Sequence, residues 1–447
     1  MSIFSKRLIS GGFAFSFISL IAGTAIAGGF AIREQSTSGL GAAFAGNAAG
    51  YDLSTIYWNP AGVAIAGPGI TTESHAALII PNADIDPADN QVLTTVFPLG
   101  ALPAGSNEID KLAFVPSSYA AWRINDKLTI GYGFNAPFGL ATEADDSVWS
   151  GQYDFREAEL KTYNFNPVVG YQISSTLAIG LGLQIQYTDL NLKQAIIPGA
   201  TPSVTHPTAD VDVDDWGVGF TAGLLWRPVQ GTSIGVGYRS RVNNTLEGTL
   251  DVSGLPAASQ NVRADFDLPE IVTVSLRQDI APNMRLLGTF EWTNWSILGT
   301  VNLINRDTGA PVMTANPATL AQGPLTVEAN WDDGYFLSGG LEYDYNEQLT
   351  LRGGVAYEWS PIQEPTQRLV AVPDSDRIWL SVGATYKYSE ATSFDFAYTH
   401  IFMDDETLLR PSGFAASVDS SIDIIGVSFK TKWGADGPFG LLSGITN

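Results

Sequence analysis

Three histidines, His75, His206 and His400, are the only imidazoles in a chain of 447 residues that contains no cysteine. None stands in an HExxH arrangement and none has a thiol partner, so neither a zinc-protease motif nor a Cys/His nucleophile is present. His400 follows Tyr398 at the same strand parity, with Asp404 and Asp405 close after it, which fits an interfacial histidine better than a general base. The run Asp210-Val-Asp-Val-Asp-Asp215 projects carboxylates of the type Ca²⁺ prefers, but a solvated strand start explains it better. Gly39, Gly41 and Gly46 lack the spacing and the preceding strand of a phosphate loop. Arg277 and Arg352 carry the most suggestive chemistry. By parity both point to the inner face of a strand, where a guanidinium would hold a ligand carboxylate or pair with Asp or Glu. No enzymatic activity, metal or cofactor is expected.

The elements carrying these residues are extended. In residues 176–187, Leu177, Ile179, Leu181, Leu183, Ile185 and Tyr187 alternate with Ala178, Gly180, Gly182, Gln184 and Gln186. A period of two puts one set on each face of a sheet, here apolar outside and small or polar inside. The pattern returns at Ile234, Val236 and Tyr238 and at Phe394, Phe396 and Tyr398. Lys6 and Arg7 precede an apolar run from Phe13 to Ala22 and the small residues Ala25-Ile26-Ala27, which predicts a secretory signal over 1–27. No later run is apolar and long enough for a spanning helix, so the exported chain is expected to be an all-β transmembrane antiparallel barrel. Without residues 1–27 the chain has 21 basic against 46 acidic residues, a net charge of −25. Nucleic acid is therefore excluded as a partner. Solvated loops and lumen walls account for the excess, with divalent-cation bridging to lipopolysaccharide as the alternative.

Tight polar turns are read at Asn125-Asp126, Ser174-Ser175, Pro228 to Thr232, Ala281-Pro282-Asn283, Asn346-Glu347 and Ser389-Glu390. Longer connections rich in Pro, Gly, Asp and Asn are read near 85–110, 137–158, 192–209, 248–262, 304–324, 360–374 and 405–418. Six short and seven long connections join fourteen strands with both ends periplasmic, and twelve or sixteen strands are the alternatives. Trp122, Trp226, Trp292, Trp295, Trp359, Tyr386, Tyr388 and Trp433 fall near strand ends and are read as interfacial girdles. A barrel this wide is not filled by its own side chains. Residues 28–67 do not alternate, are too apolar for a solvated tail and too rich in Gly and Ala for a strand. They are expected to form a plug before the barrel at 68–433, with a periplasmic tail at 434–447.

At this point the chain resembles the outer-membrane hydrophobic-compound transporters of the FadL/TodX (OmpP1) family over nearly its whole length. The resemblance rests on Gly29-Phe30-Ala31-Ile32, on Ser38-Gly39-Leu40-Gly41 with Ala45-Gly46, and above all on Asn59-Pro60-Ala61. Pro137-Phe138-Gly139-Leu140-Ala141-Thr142, Trp149 to Tyr153, Asn164 to Pro167, Asp214 to Gly217, Trp292 to Trp295 and Leu351 to Gly354 extend it. It implies a fourteen-stranded barrel whose N-terminal hatch plugs the lumen, with Asn59, Pro60 and Ala61 as the hatch motif. It also implies capture of apolar molecules at outer loops, an internal pocket, and sideways release at a kinked third strand, here roughly 127–136. Gly131, Gly133 and Asn135 are the expected kink, because glycine weakens a strand, although the same glycines would also simply provide lumen space. Candidate ligand contacts are Phe30, Ile32, Leu40 and Phe44 on the hatch and Phe138, Leu140, Trp149 and Tyr153 nearer the outside, with plug packing as the alternative. Arg277 and Arg352 join them for a carboxylate. The expected ligands are long-chain fatty acids or aromatic hydrocarbons, in a bacterial outer-membrane monomer surrounded by lipopolysaccharide. A general porin would share the barrel but not the apolar plug. The chain departs from the family in continuing past Phe429 and Trp433, one of which is expected to close the last strand, and in a short 192–209 loop.

Overall fold

The period-two alternation is realised as fourteen antiparallel strands. In chain order these are β1 (Gly69–Pro87), β2 (Ala113–Arg123), β3 (Leu128–Asn135), β4 (Glu157–Ser174), β5 (Leu177–Ala195), β6 (Thr208–Trp226) and β7 (Thr232–Arg239). They continue as β8 (Ile271–Ala281), β9 (Met284–Thr293), β10 (Gly334–Asp344), β11 (Leu349–Trp359), β12 (Arg377–Lys387), β13 (Thr392–Met403) and β14 (Ala415–Trp433). This computed structural model describes residues 28–88, 107–109, 111–145, 149–196, 207–315 and 322–433. The expected signal segment, His206, and the expected tail lie outside the described residues.

Each strand pairs with its sequence neighbours, and β1 also pairs with β14 from Ile70↔Trp433 to Pro87↔Ala416, which closes the barrel. Closure leaves the sheet without a free edge strand, as a lipid environment demands. All six tight turns fall where the sequence places them, so the fourteen-strand count holds, and Trp433 is the last residue of the last strand. No helix among the described residues is long and apolar enough to cross a membrane; strands make the crossing. Leu181, Val218, Phe220 and Leu380 are exposed on the outer wall, whereas Gln184, Gln186, Thr221 and Thr289 are buried on the inner one. Trp226, Trp359, Tyr386 and Tyr388 are exposed as a girdle requires. Trp295 is not: it is only 1% exposed, inside the barrel.

Residues 28–66 fold inside the lumen as short pieces: α1 (Thr37–Leu40), α2 (Thr55–Trp58), and 3₁₀ turns at Asn47–Ala49 and Pro60–Ile65. Ser36 caps α1 by accepting from the Gly39 amide, and Pro60 opens its turn at the position where a missing N–H costs nothing. The plug's apolar side chains Ile32, Leu40, Phe44, Trp58 and Val63 form one core with wall residues Tyr119, Phe336 and Trp379. A second core, containing Phe30, Phe138, Leu160, Phe266 and Trp295, joins the tip of the plug to the strand extensions and loops.

Candidate functional site: plug, interrupted strand and apolar cavity

The plug is bonded to the wall through side chains as well as backbone. Asn59 Nδ2 donates to the Ala48 carbonyl at 2.7 Å and to the Leu224 carbonyl of β6 at 3.0 Å, while its Oδ1 accepts from the Ala61 amide at 3.0 Å. One side chain thus joins two plug turns to a strand, which accounts for asparagine followed by proline and a small residue here. The approach is close enough that a methyl group on Gly223 would collide with Asn59 Oδ1. Arg33 forks between Glu291 on β9 and Glu358 on β11, the latter at 2.9 Å, and all three are buried. Glu34 beside it is buried, and burial pushes its carboxyl up to about 7. Asp52 accepts from Ser38 and Ser54, and burial raises its carboxyl as well. Thr37 donates its amide to His75 Nδ1 at 3.1 Å, so this histidine is a structural acceptor of the plug.

The third strand is interrupted, but not at the expected glycines. Gly131 and Gly133 lie in an unbroken ladder, opposite Ala121 and Tyr119 on one side and Val168 and Asn166 on the other. Gly131 instead makes room for the plug, since a Cβ there would strike Val63 and the Ala120 carbonyl. The break begins after Asn135, at residues 136–138, where Pro137 has no N–H to donate. The chain resumes as a short strand, Gly139–Glu143, paired with β4 alone. Residues 113–117 of β2 have no ladder partner on that side among the described residues. The plug fills the gap: Ile32 donates to the Pro137 carbonyl at 2.9 Å, Gly139 to that of Phe30 at 2.9 Å, and Gln35 Nε2 to that of Ala136 at 2.7 Å. Ser117 and Tyr119 close the other edge by donating to the Gln35 carbonyl.

An apolar cavity of about 390 Å³ opens beside this junction. Of the expected ligand contacts, Phe30, Leu140 and Tyr153 line it. Phe30 stands in an aromatic cluster, 4.6 Å from Trp295, 5.7 Å from Phe266 and 5.6 Å from Trp331 between ring centres. Gly29 holds that position with a positive φ of 65° and an amide bonded to Asp374 at 2.9 Å, where any side chain would meet the Trp295 and Trp331 rings. Phe138 packs behind Phe30, Ile32, Leu40 and Phe44 bind plug to wall, and Trp149 packs on Phe414. Those five are packing residues in this structure.

Arg277 and Arg352 do face the lumen, but they line a different, polar cavity of about 580 Å³ on the side of the short turns. There they converge with Arg285 on Glu342, Arg277 at 3.0 Å and Arg352 at 2.8 Å. Sequence reading missed Phe155, Leu160, Leu190, Leu192, Leu325 and Val370 in the apolar cavity, together with Asp154, Arg410 and Ser412 at its polar side. Their inward parity was legible on β4 and β5, whereas the loop residues carried no periodic signal. His400 faces outward and bonds Asp423 at 2.8 Å, and Asp210 accepts from Asn191.

The comparisons agree with this architecture. The family described as outer membrane protein transport protein (OMPP1/FadL/TodX) matches residues 18–433. Outer membrane protein P1 of Haemophilus influenzae is 27% identical over 421 residues, covering 86% of this chain and 87% of that one. The long-chain fatty acid transport protein of Escherichia coli O6:H1 is 28% identical over 435 residues, covering 89% and 92%. A Pseudomonas aeruginosa FadL homologue superposes with a TM-score of 0.78 at 20% identity, over 90% of this chain and 99% of that one. The toluene transporter TodX of P. putida gives 0.63 at 17% identity, over 86% and 94%. At these identities the solved structures speak for the fold alone.

Proposed function

Because this chain belongs to the OMPP1/FadL/TodX family of outer-membrane transport proteins, we propose that it passively takes up long-chain fatty acids, using the apolar cavity as binding site and the plug as gate. The observation that carries the reading is the junction at residues 136–138, where plug backbone substitutes for the missing strand partner immediately beside the cavity. A ligand that displaces Phe30 loosens the same segment that seals the wall. The opening so made leads sideways, between β2 and the short strand Gly139–Glu143, into the bilayer.

Burial of hydrocarbon supplies the driving force. At about 0.8 kcal/mol per methylene, a sixteen-carbon chain gains on the order of 10 kcal/mol before entropy costs, so release needs a moving part. Asn59 and Pro60 set the resting position of that part. A second reading, uptake of aromatic hydrocarbons, is favoured by the paired state of the cavity's cations, Lys193 with Glu157 and Arg410 with Asp154. No step of either reading needs catalysis.

Uptake of labelled oleate and labelled toluene by cells lacking their own transporter tests both, with an empty vector and a Pro60→Ala variant alongside. Oleate uptake that Pro60→Ala reduces supports the first reading, and toluene uptake alone moves the ligand to aromatics. Neither exceeding the empty vector, with the barrel correctly inserted, removes both.

A further inference from the structure

Asp154 and Arg410 occupy one side of the apolar cavity, on two loops that the sequence separates widely. Arg410 is largely buried, and its Nη1 is fixed by the carbonyls of Thr366 and Arg368, each at 3.1 Å. Its Nε stands 3.7 Å from Asp154 Oδ1, beyond direct hydrogen-bond length. Asp154 Oδ2 accepts from Ser412, whose own oxygen accepts the Phe414 amide. We propose that Asp154 holds Arg410 in reserve for the head group of an acidic ligand: an entering carboxylate takes Arg410 over, and Asp154 leaves the ion pair by accepting one proton. The inference rests on the reading that this cavity binds the transported ligand.

The arrangement meets the conditions such an exchange needs. A carboxylate and a guanidinium facing hydrocarbon are costly unless paired, so Arg410 cannot wait alone for a ligand. Burial pushes the Asp154 carboxyl up and the Arg410 guanidinium down, so the acid is the partner that neutralises when the pair is broken. The other charged groups lining the cavity are Glu328 from the 326–328 strand, which also faces Arg410, and Glu157 and Lys193 of β4 and β5. Lys193 is bonded to Glu157 at 2.6 Å.

The balance closes without any further reactant. A ligand carboxylate and the Asp154 carboxylate begin with one guanidinium between them. One proton taken from water ends on Asp154, and the ligand anion ends on Arg410. The net charge of the cavity is unchanged, because the proton and the anion that enter cancel. A neutral ligand, by contrast, leaves the pair in place and moves no proton.

Proton linkage reads this directly. The full chain in lipid nanodiscs is titrated calorimetrically with decanoate and with decanol, at about pH 8 where the free acid is ionised, in buffers of different ionisation enthalpy. The expected result is about one proton taken up per decanoate and none per decanol. Asp154→Asn should bind decanoate without proton uptake. Arg410→Gln should weaken decanoate about tenfold or more and decanol less than about twofold, decanol serving as the control for folding. Decanoate binding without proton uptake in the unaltered protein overturns the exchange, as does proton uptake surviving in Asp154→Asn or equal weakening of both ligands by Arg410→Gln. Failure of decanol itself to bind the unaltered protein instead removes the cavity as the ligand site, and the exchange with it.

Discussion

Asn59 lies so tightly on Gly223 that the carboxamide occupies the space a β-carbon of that glycine would need. The plug is therefore held where its side chains bear directly on wall backbone, and its position is sensitive to single atoms on either partner.

Asn59→Ala removes the bonds to Ala48, Leu224 and Ala61 and leaves buried carbonyls unmet. A local cost of about 3 kcal/mol is expected. Hydrogen exchange should accelerate in residues 28–66 with the strand amides unchanged, and a planar bilayer should show ion steps that the unaltered protein lacks. Gly223→Ala should produce the same pattern from the other side through overpacking of about 1–3 kcal/mol.

Arg33→Ala strips the shared cation from Glu291 and Glu358 in a buried site. Glu291 keeps only the Thr273 hydroxyl, whereas Glu358 retains Arg377 at 3.7 Å and the Trp379 indole, so the plug should lose about 3 kcal/mol, measured as the loss of its exchange protection. Arg33→Lys should recover only part of this, since an ammonium cannot fork between both acids.

Glu34 makes plug stability depend on pH. Burial raises its carboxyl from the ordinary 4.5 to about 7, so between those values the folded plug keeps a proton that the unfolded chain releases. Stability therefore falls as pH rises through that window and is level above it, by about 3 kcal/mol in all. Exchange protection of residues 28–66 should be greater at the acid end than at neutrality and above. In Glu34→Gln that difference should shrink.

Trp295→Ala empties the space against Phe30, where the ring centres stand 4.6 Å apart. A stability loss of about 3–5 kcal/mol is expected, together with a wider cavity. Competition binding should show bulky polycyclic ligands gaining affinity relative to straight chains.

Much of this was legible because barrel strands encode their faces locally. Leu177 to Tyr187 announced a wall, and Asn346-Glu347 announced a turn, from neighbouring residues alone. Phe30, Leu140 and Tyr153 were expected at a ligand site only through the family resemblance of the blocks that carry them, and local periodicity did not separate them from the packing residues beside them. Trp295 misled, since proximity to a strand end suits both an interfacial ring and one folded into the lumen. Gly131 and Gly133 misled because glycine permits both a bend and a close approach, and here Val63 required the approach. Pro137, which removes a donor outright, was the stronger signal for the break. Asp154 and Arg410 were invisible, being united only by the tertiary fold.

The contacts of the plug also order events in time. Thr37 Oγ1 bonds the Val427 carbonyl across 390 residues of sequence, and Gly29 bonds Asp374 across 345. Both partners lie late in the sequence. These two bonds of the plug therefore form only once the loop before β12 and β14 itself are in place, and loop closure over such spans is slow. The plug's full set of bonds therefore cannot form before the barrel's last strand is in place.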